Sequence, residues 1–153
     1  MRRCCRNTWI TISRDRRFAQ RGGFYARFYR FDFLYVPKDN IIEYVQTNQE
    51  TLEQFVTGLM ADPPGDTAYN GWQISCYPAV GMVEFITKGS GVGSSTAYEG
   101  FYYSEDDRPI GFQGTKAGFV PDNTGWSWEE EKGDNRKRTE KITAHWYWFQ
   151  MNF

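Results

Sequence analysis

The run from Lys141 to Phe153 carries bulky side chains on both of its faces, and this narrows what the chain can fold into more than any other stretch. Read as one continuous strand, it sets Ala144, Trp146 and Trp148 on one side. His145, Tyr147, Phe149, Met151 and Phe153 fall on the other, because successive side chains of a strand alternate. A strand that is apolar on both faces belongs in the interior of a sheet, covered above and below.

One cover is visible in the sequence. Over residues 40–61, Ile41, Val45, Leu52, Phe55, Val56 and Leu59 recur at helical spacing and form one apolar stripe. Asp39 is placed to cap its start, and Pro63-Pro64 forbids continuation. Thr47-Asn48-Gln49-Glu50 has the spacing of a capping box, so the segment is expected as two short helices meeting at Thr47. Gly58 weakens the last turn.

The remainder reads as β. Residues 8–13 form a short strand, and residues 24–36 a longer one whose alternation changes phase, which implies either a bulge near Phe28 or a second face that is also covered. Segment 62–71 has the composition of a loop. Trp72, Ile74 and Cys76 alternate with polar residues and turn through 77–81 into Met82–Ile86, a hairpin pattern. A Gly/Ser stretch, 89–96, reads as a connector into a strand over 98–103. The chain turns at 105–109 and returns through Ile110-Gly111-Phe112. After a turn at 121–125, Trp126-Ser127-Trp128 opens a ribbon closed at Gly133-Asp134-Asn135. Aromatic residues make up 18% of the chain (12 Phe, 10 Tyr and 6 Trp), which suits a pleated, half-buried surface better than a helix bundle.

The expected architecture is a single α+β domain over residues 1–153, with residues 1–23 a peripheral basic segment. It is a mostly antiparallel twisted sheet of about six or seven strands with the helical segment packed on one face. A chain of 153 residues buries an adequate core without staples. Cys4 and Cys5 are adjacent and Cys76 stands apart, which is neither a disulfide framework nor a zinc site. A reducing cytoplasm is the default compartment. No apolar run approaches the ~20 residues of a membrane-spanning helix.

Charge is distributed unevenly. Nine arginines against Asp15 give residues 1–30 a charge of +8, and since the whole chain carries −1, the rest carries −9. Arg2, Arg3, Arg6, Arg14, Arg16 and Arg17 have the composition of a nucleic-acid arm or a targeting segment, while the plain reading is a solvated basic edge.

Motifs of catalysis are weak. GSGVGS at 89–94 lacks the third glycine of a dinucleotide fingerprint and is followed by a strand pattern, so no helix N-terminus is there to hold phosphate. His145 is the sole histidine, and the catalytic alternative pairs it with Glu84 or Glu99 on a neighbouring strand, in a small-molecule-binding half-barrel or a hydrolase. Its plainer role is one structural hydrogen bond. Glu105-Asp106-Asp107 lacks the oxygen spacing of a calcium loop. Glu129-Glu130-Glu131 faces Arg136-Lys137-Arg138 across the ribbon, as cross-strand charge pairing explains. Neither cofactor nor metal is implied.

What remains is a surplus of rings. Tyr98, Tyr102, Tyr103, Trp126 and Trp128, with Tyr147 and Phe149, exceed what so small a core needs, and Tyr and Trp dominate binding hot spots. The leading expectation is therefore a non-enzymatic protein-binding module, such as a bacterial immunity-type inhibitor of a basic toxin or nuclease. Its contact residues would be Tyr98, Tyr102, Tyr103, Asp106, Asp107, Trp126, Trp128, Glu129 and Glu130, the carboxylates steering a cationic partner. Single-stranded nucleic-acid binding through the arginines and exposed rings is a further alternative.

Overall fold

The computed structural model describes residues 36–64, 67–92 and 95–153. The strands expected over 8–13 and 24–36, the bulge near Phe28 and the basic arm lie outside these residues. Two helices, α1 (Lys38–Thr47) and α2 (Gln49–Ala61), are followed by eight strands. They are β1 (Thr67–Tyr69), β2 (Trp72–Tyr77), β3 (Met82–Val92), β4 (Ser95–Ser104), β5 (Val120–Asp122), β6 (Gly125–Glu129), β7 (Arg136–Thr143) and β8 (Trp146–Asn152). All pair antiparallel in one open sheet of order β1-β2-β3-β4-β8-β7-β6-β5. The α+β class and the antiparallel sheet are as expected, and the eight strands among the described residues are close to the six or seven expected.

The helical stripe forms as its spacing predicts. Ile41, Val45, Leu52 and Val56 are sealed against Ile74, Val83, Phe85, Phe101, Trp146 and Trp148 on one face of the sheet. Each fully buried aliphatic side chain contributes about 1.5–3 kcal/mol. The junction differs in detail. Asp39 sits in the first turn of α1 behind Pro37, and α2 starts at Asn48 without a side-chain cap. Asn48 instead turns back, its Nδ2 donating to the Tyr44 carbonyl at 2.8 Å, so it closes the end of α1 rather than opening α2.

Four segments depart from the sequence reading. Part of the 62–71 loop is strand β1, joined to β2 through Asn70 (φ 52°) and Gly71 (φ 79°), an Asn-Gly pair suited to a tight hairpin. The Gly/Ser stretch is not a connector, since β3 and β4 stay in register from Lys88 with Glu99 to Val92 with Ser95. Ile110-Gly111-Phe112 is not a returning strand. Pro109 removes a donor, Gly111 N–H is used by the Thr115 carbonyl at 3.0 Å, and a 3-10 turn follows at Phe112–Gly114.

The fourth is the long final strand, which is a hairpin. β7 and β8 meet at a two-residue turn, Ala144-His145, where His145 takes φ 65° and Thr143 pairs with Trp146. The face assignment from Trp146 onward nevertheless holds. Trp146 and Trp148 meet the helices, while Tyr147, Phe149 and Met151 join Met82, Ile86, Tyr102 and Phe112 in a second core on the opposite face. β8 thus occupies the interior of the sheet and is covered on both sides, as its side chains require. The second cover is not regular structure but residues 105–117, a strap across the sheet.

Candidate functional site

The strap is fixed at its start by residues far away in sequence. Asp107 (φ 52°) accepts hydrogen bonds from the His145 backbone N–H at 2.8 Å and the Tyr147 hydroxyl at 3.0 Å, and it faces the Lys141 ammonium at 2.6 Å. His145 Nδ1 lies 3.0 Å from the Ser104 carbonyl, a contact in which Nδ1–H donates. The Ser104 N–H in turn donates to the His145 carbonyl at 2.8 Å. His145 therefore belongs to a turn and not to mid-strand, held in a left-handed conformation that histidine tolerates better than most residues. Its ring packs on Tyr103 at 5.6 Å.

The carboxylates proposed to serve His145 are not brought to it. Glu99 lies on the helical face, accepting from Trp148 Nε1 at 3.3 Å, five residues along β4 from Ser104. Glu84 points to the opposite face and is buried beneath the strap. The Lys141 ammonium, Asp107's strongest partner, holds the Asp107 carboxyl below its ordinary range, helped by the bonds from His145 and Tyr147. A carboxylate whose folded pKa is depressed stabilises the fold above its ordinary pKa, and that contribution is lost as pH falls through the folded value. Asp107→Ala is accordingly expected to cost about 1.5–3 kcal/mol at neutral pH. In urea unfolding, the gap from the parent protein should close in acid.

The rings expected at the surface are mostly structural. Tyr102 is fully buried, its hydroxyl 3.0 Å from Thr139 Oγ1 and accepting from the Ile110 N–H at 3.2 Å, so it is core rather than contact surface. Tyr147 and Phe149 are buried as well. Tyr98, half-buried, stacks on Phe112 at 5.3 Å, and half-buried Trp126 and Trp128 flank the second core. Tyr103 is half-buried beside Trp146. A sheet covered on both faces needs this many rings.

The exposed members of the expected set are acidic. Asp106 pairs with Arg108 on the strap and borders a cleft of about 420 Å³ shared with Val80, Ile110 and Lys116. Glu129 and Glu130 line a second cleft, of about 500 Å³, between the tips of the β3–β4 and β6–β7 hairpins. Asp134, Arg136, Ser90 and Asn152 complete its polar wall. His145 borders neither cleft. Glu129 pairs in register with Arg136, but the rest of the expected cross-ribbon pairing fails. Lys137 is buried, and Arg138 turns to Glu140 at 3.3 Å and Asp122 at 3.8 Å.

Lys137 is the residue that sequence reasoning missed. Its Nζ donates to the Ile110 carbonyl at 2.9 Å and lies over the rings of Tyr102 (4.8 Å) and Phe149 (4.7 Å). Burial lowers its pKa to about 8, the Glu84 charge opposing the shift. Neither Glu84 carboxylate oxygen has a hydrogen-bond partner. Burial raises Glu84 to about 7, against the Lys137 charge and the nearby Gln113 backbone amide. The available signal was parity, since Lys137 lies directly across from Trp128 and Met151.

Among the described residues no group of His, Cys, Asp and Glu is arranged to hold a metal ion, and no helix is long and apolar enough to cross a membrane. Comparison with family models, characterised proteins and solved structures found no match to this chain.

Proposed function

We propose that the chain is a non-enzymatic protein-binding module for a basic partner, of the kind that an immunity-type inhibitor presents to a toxin or nuclease. The observation that carries this reading is the cleft between the two hairpin tips, where Glu129, Glu130 and Asp134 meet a polar wall. Its volume of about 500 Å³ accommodates one or more long side chains from a partner. The charge of −9 beyond residue 30 draws cations toward such a cleft over distances that salt screens. Arg136, inside the same wall, offers a single donor fork to a partner's carbonyl or carboxylate and thereby fixes orientation. His145 is engaged in the turn that seats Asp107, which supports a binding role over general acid–base work.

The test is affinity capture from native extract with the parent protein and with a Glu129→Lys, Glu130→Lys, Asp134→Lys variant. One stoichiometric protein of basic pI should be retained by the parent and released as salt rises. The variant should retain about tenfold less, because like charges placed face to face are strongly unfavourable. Capture of no stoichiometric protein, or equal capture by both, would refute the proposal.

A further inference from the structure

The strap from residue 105 to residue 117 covers two charged groups that cannot both be at ease beneath it. Glu84 and Lys137 are respectively 0% and 2% exposed, and both carboxylate oxygens of Glu84 lack a hydrogen bond. A buried ionised group without full hydrogen bonding is unfavourable by several kcal/mol in general terms, so any motion that lets water in is favoured by its charge. The strap is suited to such motion. Its first turn is anchored, with the Glu105 N–H donating to Gly81, the Arg108 N–H to Ser104 Oγ, and Asp107 accepting from His145, Tyr147 and Lys141. From Pro109 onward its hydrogen bonds are largely its own: Gly111 N–H to Thr115, Gly114 N–H to Gly111 and Thr115 N–H to Phe112. This later part holds the sheet through Ile110, whose N–H donates to Tyr102 and whose carbonyl accepts from Lys137, and through the Phe112 ring set among Tyr98, Phe149 and Phe153. Residues 109–117 can therefore lift as a preformed unit, hinged on the anchored turn at Asp107, while the β-ladder stays intact.

We propose that the strap is a proton-governed cover, lifting most readily when Glu84 and Lys137 are both charged and closing when Glu84 takes up a proton. With the strap lifted, Glu84, Lys137, Tyr102 and Thr139 form a hydrated polar face on the sheet, reachable from the cleft beside Asp106. The sign follows from linkage. The closed form holds Glu84 near 7 and the hydrated form returns it toward 4.5, so closed molecules bind the proton more tightly and acid favours closure.

The other titratable groups on the elements around the pair do not give the same profile. Tyr77 on β2, Tyr102 on β4 and Tyr147 on β8 are all raised by burial and stay neutral. Asp107 is held ionised by Lys141. On the strap, Asp106 pairs with Arg108, while Glu105 and Lys116 are exposed. His145, which seats Asp107, is handled by substitution.

The probe is amide hydrogen exchange at Ile110, whose N–H is released only when the strap leaves Tyr102. After correction for intrinsic chemistry, Ile110 protection should fall about tenfold or more between pH 5 and pH 7.5. The Phe101 amide in β4 should remain better protected at both. Glu84→Gln should flatten the profile, and His145→Asn, which keeps a residue tolerant of the left-handed turn, should not. Carboxyl-carbon NMR of the unsubstituted protein gives the same test without a variant, since the Glu84 titration midpoint must coincide with the change at Ile110. Protection independent of pH, a profile abolished by His145→Asn, discordant midpoints, or Ile110 exchanging in step with Phe101 would each overturn the proposal.

Discussion

Phe101→Ala lowers the free energy of unfolding by about 3–5 kcal/mol. The ring is fully buried in β4 and stacks on Phe85 of β3 at 4.6 Å with planes 7° apart. Trp72 meets it edge-on at 5.4 Å, Trp146 lies at 6.0 Å, and Tyr44 reaches it from α1 at 6.5 Å. The cavity left by alanine would be walled by rings from β2, β3 and β8 and by a helix. Rigid rings on paired strands cannot collapse inward without breaking the ladder, which places the loss toward the upper end. Chemical denaturation at 25 °C checks it. A loss under about 1 kcal/mol would mean that the helical face is packed more loosely than these distances imply.

The second large effect comes from the other face. Lys137→Ala should cost about 3–5 kcal/mol at pH 7.5, because it strands the Glu84 carboxylate and removes the donor to the Ile110 carbonyl. Glu84→Gln combined with Lys137→Met, which keeps volume and removes both charges, should be neutral or stabilising by about 1–4 kcal/mol. The pH dependence fixes the sign. Glu84, raised to about 7, favours the fold below its ordinary 4.5, a contribution lost as pH rises through 7. Lys137, lowered to about 8, favours it above its ordinary 10.5, a contribution lost as pH falls through 8. The pair is thus least favourable between about 7 and 8, and there the double variant should gain most. Urea titrations across that range decide it, and additive losses from the two substitutions would show the charges to be stabilising.

The sheet was legible because burial of a strand is written in its own alternation. Trp146 to Met151 declared two covered faces, and the stripe from Ile41 to Val56 declared one of the covers. The turn at Ala144-His145 was not legible. It contains no glycine, proline or asparagine, and the bonds that hold it come from Ser104 and Asp107, some forty positions earlier. The strap was misread for a related reason. Ile110 and Phe112 look like strand residues, yet they face the sheet to cover it, and Gln113 takes φ 53° within the turn. The carboxylates singled out by charge, Glu129 and Glu130, are exposed and line the cleft at the hairpin tips, whereas the rings expected beside them are buried (Tyr102) or half-buried (Tyr98, Tyr103, Trp126 and Trp128). Composition counts aromatic residues without saying how many faces they must cover. Lys137 was hidden by its neighbours, since a basic triplet reads as solvated until the register shows its middle member among Tyr102, Phe149 and Trp128.

An open sheet has borders, and among the described residues these are β1 and β5, three residues each. Pro121 sits at the centre of β5 and has no N–H to offer a newcomer. Another chain laid along either border would gain only about two main-chain bonds, too few to hold it there. Neither of these two borders thus offers native copies a template for stacking, and the long inner strands between them remain paired with one another.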